Sequence, residues 1–282
     1  MGLAALALLL LGEGTSGPGA AATALVAEGD RHFAARASNA DGSRCDPAEA
    51  NAAAAAYRRA ASADPDALAA RSGLLRTLFF RGGFCGESGA VQKRTFEEAK
   101  RVAEESQRRL EQRVGARVSR ARPGPFGAVP GAPALLFWCA VAWGQWSLDH
   151  KFAAAWQGAG GRIRDLAETA VALAPDYEQG APHIVLGRLH VESPRIPLVT
   201  GFVSRRKGLE QLRAAVALAP QNTVALWSLA GGLLAHEPES RAEAVRLLRA
   251  CAAASPRPGY LVEDRHYAAL ARERLRALGE AP

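Results

Sequence analysis

The sequence predicts an all-α protein, an irregular array of antiparallel helix pairs wound into a right-handed superhelix, on three observations. Alanine runs such as Ala52–Ala56 favour helix, because alanine loses no side-chain entropy there. Few stretches carry the alternating, β-branched pattern that strands need. The third observation is a nine-residue segment that recurs four times and always ends on proline: Tyr57–Pro65, Ala167–Pro175, Leu212–Pro220 and Leu248–Pro256.

The fourth position of that segment is always small: Ala60, Ala170, Ala215 and Cys251. A small residue lets a neighbouring helix approach, and an apolar residue three later lies on the same face. The closing proline disfavours helical geometry in the residue before it, so the helix stops there. In these residues the segment resembles the second helix of a tetratricopeptide repeat. The first helices of such repeats carry an aromatic–Leu–Gly–aromatic signature. His183, Leu186, Gly187 and His190 reproduce its spacing, and Leu226, Leu229, Ala230 and Leu233 give an apolar version. The intervals between the prolines are unequal, and only the last approaches the usual repeat length of about 34 residues. A strict solenoid is therefore not expected.

Along the chain the pattern places helices at 22–37, 47–63, 66–81, 93–115, 133–148, 161–174, 178–191, 205–219, 222–235, 239–254 and 260–278. The helix at 93–115 carries Glu97/Arg101, Glu104/Arg108 and Glu105/Arg109, three pairs at the favourable i,i+4 spacing, and reads as a solvated face. Residues 123–133, with Pro123, Pro125, Pro130 and Pro133 among glycines, read as an internal linker within one continuous domain over 25–282. The last helix, with Arg272, Arg274 and Arg276, reads as a cap with a polar outer face.

Before that domain, residues 1–24 read as a signal peptide. An unbroken apolar run, Leu3–Leu11, is followed by small residues ending at Gly19-Ala20-Ala21-Ala22, with cleavage expected near Ala22 or Ala24. The run is shorter than the roughly 20 apolar residues a membrane span takes. No basic stretch precedes it, and no cysteine follows closely enough to take a lipid. The expectation is a periplasmic or secreted protein. Cys45 and Cys85, in Gly-rich, turn-like settings at the two ends of a helical hairpin, form a candidate disulfide that suits an oxidising compartment. Cys139 and Cys251 lie on apolar helical faces and read as buried thiols.

The formal charge of +7 and pI near 9.7 raise the question of nucleic acid. The two densest basic clusters, Arg117/Arg120/Arg122 and Arg205/Arg206/Lys207, lack interleaved aromatics and any zinc-finger or RNP pattern, so no nucleic-acid partner is expected. No P-loop, Rossmann glycine pattern, nucleophile elbow or H-E-x-x-H occurs, so neither catalysis nor a cofactor is expected. No cysteine spacing suits zinc, and His183 and His190 would need further ligands, so no metal is expected.

Two stretches resemble a narrower family, the T components associated with TRAP-type transporters. They are Pro133–Leu148 (PALLFWCAVAWGQWSL) and Leu173–Pro194 (LAPDYEQGAPHIVLGRLHVESP), within a likeness spanning roughly 50–255. The resemblance implies a periplasmic, tetratricopeptide-like protein whose helices surround a cavity for an apolar or organic-acid ligand. It also implies a protein partner, such as a periplasmic substrate-binding protein, and a capacity to form homo-oligomers. Arg195–Lys207 departs from the Gly-Asp-rich loop of that family, and the family's lipid-bearing cysteine is absent.

The richest candidate site is aromatic. Phe137, Trp138, Trp143, Trp146, Phe152 and Trp156 fall close together, and they point in several directions at about 100° per residue. Such a helix is either buried on all sides or lines a cavity. Phe137, Trp138, Trp143, Trp146, Trp156 and Phe202 are the ligand-lining candidates, Phe202 also as a gate; plain core packing is the competing explanation. The functional expectation is a non-catalytic binding or adaptor protein, with a generic scaffold of an envelope complex as the alternative.

Overall fold

A computed structural model describes residues 18–86, 88–197 and 199–281. Among them are thirteen α-helices and no strand. In order they are α1 (Pro18–Ala34), α2 (Pro47–Ala63), α3 (Leu68–Phe84), α4 (Gly89–Val114), α5 (Gly124–Gly127), α6 (Ala132–Asp149) and α7 (Lys151–Trp156). There follow α8 (Ala159–Leu173), α9 (Ala181–Glu192), α10 (Arg205–Leu218), α11 (Thr223–His236), α12 (Arg241–Ala253) and α13 (Leu261–Ala277). Each helix expected from the sequence is present. The additions are α5, inside the expected linker, α7, and a 3-10 turn at Pro238–Ser240. Most of the expected signal peptide, including Leu3–Leu11, lies outside the described residues. Its expected cleavage positions fall within α1, where Ala22 is buried. No helix among the described residues is long and apolar enough to cross a membrane.

The long helices pack as successive neighbours and sort into two layers. α1, α3, α6, α9, α11 and α13 each also touch the next of their own set and form the inner layer; α2, α4, α8, α10 and α12 lie outside them. The four proline-closed segments are the ends of α2, α8, α10 and α12, all outer helices. The fifth outer helix, α4, stops differently. Gly115 takes a left-handed conformation (φ 70°), and the N–H of Ala116 reaches back to the carbonyl of Glu111, a glycine stop that needs no proline. That explains the long interval between Pro65 and Pro175: a repeat lies between them with a different terminator.

The small fourth-position residues are buried, as close approach requires. In two of the four segments the first-position side chain fills the space left by glycines on inner helices. The Tyr57 ring lies against Gly29 of α1 and Gly73 of α3, where an added Cβ would sit 2.7 and 2.5 Å from it. Leu212 of α10 occupies the same place against Gly187 of α9, at 2.6 Å.

The array closes on itself. α13 reaches α3, so the inner layer runs from α3 through α6, α9 and α11 to α13 and back. At the seam, Arg36 at the end of α1 donates to Glu263 (2.8 Å) and to the carbonyl of Gly259, with its guanidinium over the rings of Phe33 and Phe80 (4.2 and 4.9 Å). Phe84 meets His266 edge to face, and Arg265 donates to the carbonyl of Gly42. The arginines of α13 expected on a polar outer face, Arg272, Arg274 and Arg276, are exposed.

Candidate functional site

The ring encloses a cavity of about 990 Å³, walled by inner helices together with α7, α8 and the 193–200 loop. The volume is at the upper end of the roughly 300–1,000 Å³ that small-molecule sites occupy. One wall is apolar: Phe79 from α3, Phe137, Trp138 and Val141 from α6, Ile163 from α8 and Val185 from α9. α6 can supply this wall and core packing together because it is apolar on nearly every side, with Leu135–Trp143 buried without interruption.

Another part of the lining is charged. Asp30, Arg36, Arg76, Glu178, Arg257 and Glu263 face the cavity from α1, α3, the 174–180 turn and the start of α13. Most of these charges are already satisfied. Arg257 is buried and makes a multiple hydrogen-bonded pair with fully buried Asp264 (2.7 Å), which also accepts from Thr223. Tyr260 donates to Glu178, and burial, followed by that carboxylate, pushes its hydroxyl pKa up. Burial also raises the Glu263 carboxyl above its ordinary value despite Arg36.

Arg76 is the most weakly paired of them, although the Nε of Arg36 and one oxygen of Glu263 are also buried without a partner and Arg76 donates to the Tyr57 hydroxyl at 3.4 Å. Its guanidinium stacks over Phe33 at 4.0 Å, but its carboxylate neighbours stand at the limit of contact, Asp30 at 3.5 Å and Glu178 at 3.9 Å. Asp30 instead takes its short hydrogen bond from Tyr57 (2.6 Å), and the Nε of Arg76 is buried without a partner. A weakly paired guanidinium beside an apolar cavity wall has the geometry to accept a planar anion such as a carboxylate.

The turn between α8 and α9 shapes this part of the lining at a conformational cost. Glu178 (φ 46°) and Gln179 (φ 59°) are both left-handed without being glycine, followed by Gly180. The strain is used. Glu178 meets Tyr260, and Gln179 accepts from Arg257 (2.6 Å) while its carbonyl accepts from Asn222 (3.2 Å). One residue earlier, Tyr177 accepts from the Trp138 indole (3.1 Å) and packs on Phe137.

The structure brings Phe137 and Trp138 to the cavity wall and places the other aromatic candidates elsewhere. Trp143 is fully buried on the far side of α6, flanked by Lys100 and Arg162. Trp146 stacks on His150 (4.8 Å, 12° between planes). Trp156 is 93% exposed on α7. Phe202 packs against His190 and under the Arg164 guanidinium; it is not itself part of the lining but lies beside Gly160, which is. The physical reason is that a helix buried all round distributes its large side chains among several neighbours, and only one of those neighbours is the cavity. The charged lining was missed because its residues come from distant parts of the chain; the one local signal was the Glu-Gln-Gly turn before Ala181.

A disulfide joins Cys45 and Cys85, with Cα atoms 4.5 Å apart, and ties the start of α2 to the end of α3. Cys139 and Cys251 are buried free thiols; burial raises the first and pushes the second up to about 12. Among the described residues no group of three or more candidate ligands assembles that would hold a metal ion. No protein-family model and no curated protein matches the chain.

Proposed function

We propose that this protein is a non-catalytic binding protein that holds an amphipathic organic acid within its helical ring. The apolar body of the ligand lies along Phe79, Phe137, Trp138 and Val141, and its acid group takes the guanidinium of Arg76. The observation that carries the reading is the pairing of a largely apolar cavity with an arginine, Arg76, whose carboxylate neighbours stand no closer than 3.5 Å. The Cys45–Cys85 disulfide supports an exported, periplasmic or secreted protein. With the likeness of Pro133–Leu148 and Leu173–Pro194 to the T components of TRAP-type transporters, it favours a role in substrate uptake beside a protein partner.

Of the five tryptophans, only Trp138 lines the cavity, so its fluorescence reports occupancy. Titration with a medium-chain fatty acid such as decanoate is expected to give a saturable change that Trp138→Phe abolishes. Arg76→Gln removes a charge-assisted contact of about 1.5–3 kcal/mol and should weaken binding by at least about tenfold. Native mass spectrometry of the purified protein should show a co-purifying apolar acid. A protein that is clean by mass spectrometry and silent in the titration would return the reading to a scaffold without a ligand.

A further inference from the structure

Six large apolar side chains stand exposed among the described residues, and five of them gather at one mouth of the cavity. Leu148 closes α6, Phe152 and Trp156 follow on α7, and Ile196 and Val199 lie on the loop before α10. Phe152 is 94% and Trp156 93% exposed, an extreme for residues of this size, and their i,i+4 spacing puts them on one face of α7. Lys151, Ala154 and Ala155 turn the adjacent face of the same helix into the cavity, so the aromatic face forms its outer lip.

The loop belongs to the same lip. Ile196, Val199 and Thr200 line the cavity, and Thr200 stands beside Gly160 at the start of α8, where an added Cβ would come within 3.2 Å of it. The loop is also held in shape: the hydroxyl of Thr200 accepts from the N–H of Ile196 (2.9 Å), and the N–H of Thr200 returns to the carbonyl of Ile196 (2.8 Å). The apolar tips are therefore presented by a built turn.

The charge around this lip is one-sided. Lys151, Arg195, Arg206 and Lys207 are exposed there against the exposed acids Asp149, Glu192 and Glu210; Glu210 is paired with Arg206 and Glu192 with Arg188, which leaves three cations to the one carboxylate of Asp149. Tryptophan and phenylalanine flanked by lysine and arginine are the side chains that settle at a bilayer interface, with the rings at headgroup depth and the cations on anionic lipid.

We infer that the lip formed by Leu148, Phe152, Trp156, Ile196 and Val199 is a peripheral docking surface for an anionic lipid bilayer. Seated there, the cavity mouth opens against the membrane interface. The surface stands on exposure and charge alone, whatever occupies the cavity.

Co-sedimentation of the full chain with vesicles tests this. Vesicles of phosphatidylcholine and phosphatidylglycerol in equal parts should pellet the protein, and phosphatidylcholine alone should do so much less. Binding should fall as salt is raised. Phe152→Ala/Trp156→Ala should cut binding at least tenfold with unchanged circular dichroism, because both side chains are solvated in the free protein. Failure to bind either vesicle, or equal binding by the double variant, overturns the inference. Sedimentation velocity without lipid supplies the rival outcome: self-association abolished by the double variant would assign the lip to a second copy of the chain and overturn lipid docking. Neither readout involves Arg76 or Trp138, so the result is separable from that of the cavity reading.

Discussion

Replacing Arg36 tests whether the helical array is a closed ring. The Arg36–Glu263 pair joins α1 to α13, with side chains 8% and 13% exposed and a separation of 2.8 Å. Arg36→Met keeps an unbranched stem against Phe33 and Phe80 but removes the charge, the bond to Glu263 and the bond to the Gly259 carbonyl. Truncating one partner of a buried ion pair costs about 3–5 kcal/mol, because the other charge stays desolvated and unpaired. Glu263, already raised by burial, is that stranded charge. Replacing both groups by apolar ones removes the penalty, so Arg36→Met/Glu263→Leu should recover most of the loss. The assay is urea denaturation followed by circular dichroism for the wild type, both single variants and the double variant. A cost below about 1 kcal/mol for Arg36→Met is what a solvated surface pair gives, and would mean that the array stands open in solution.

Three further outcomes follow from local geometry. Reducing the Cys45–Cys85 bond, or Cys45→Ser/Cys85→Ser, frees a loop with a sequence separation of 40 and should cost about 4 kcal/mol of unfolding free energy in urea denaturation, nearly all of it through the unfolded chain. His190 is buried, accepts the N–H of Ser204 on Nδ1, and has its pKa lowered by burial and then by Lys207, Arg164 and Arg205. Its contribution to stability is therefore present above the ordinary histidine value of about 6.5 and is lost as pH falls through the lowered one. The wild type should lose more stability than His190→Gln between about pH 7 and about pH 5. Gly187→Ala presses a methyl to 2.6 Å from Leu212 and 3.0 Å from the Gly208 carbonyl. It should cost about 1–3 kcal/mol despite a helix-propensity gain of about 1 kcal/mol, whereas Gly231→Ala, with open space at its Cβ, should show only the gain.

The outer helices were legible because their instructions are local. A small residue, an apolar one three later and a proline stop are read within nine residues, and all four copies prove to be outer helices. α4 escaped the pattern because it ends on Gly115, which does the work of proline by a different backbone route. The aromatic site was only partly legible, for two physical reasons. Within α6, burial on every side leaves periodicity unable to say which neighbour each ring meets, so Phe137 and Trp138 could not be told from Trp143. Beyond α6, the helix breaks at His150 (φ −126°, ψ 46°), which resets the phase and turns Trp156 outward. The charged lining lay out of reach of any local window, since Arg36 and Glu263 are 227 residues apart.

Closure of the ring also explains why α13 reads poorly as a simple cap. A capping helix needs one apolar face, and α13 has it: Val262, Ala268, Ala271 and Leu275 are buried toward the array. A second strip, Glu263 and His266, must meet α1 and α3, while Asp264 anchors Arg257 behind the cavity. Within the array, neighbouring helices meet through Leu, Val, Ala and aromatic side chains in two large apolar clusters. The seam adds the buried Arg36–Glu263 pair and its hydrogen bonds to such contacts, as Arg71 does between α3 and α4. Apolar contact tolerates small slips, because its attraction is non-directional. Buried charges do not, since each displaced hydrogen bond exposes a desolvation cost. The last contact of the ring is thus a geometrically demanding one. It fixes where α13 lies relative to α3, and with that the position of the cavity wall on which Arg76 stands.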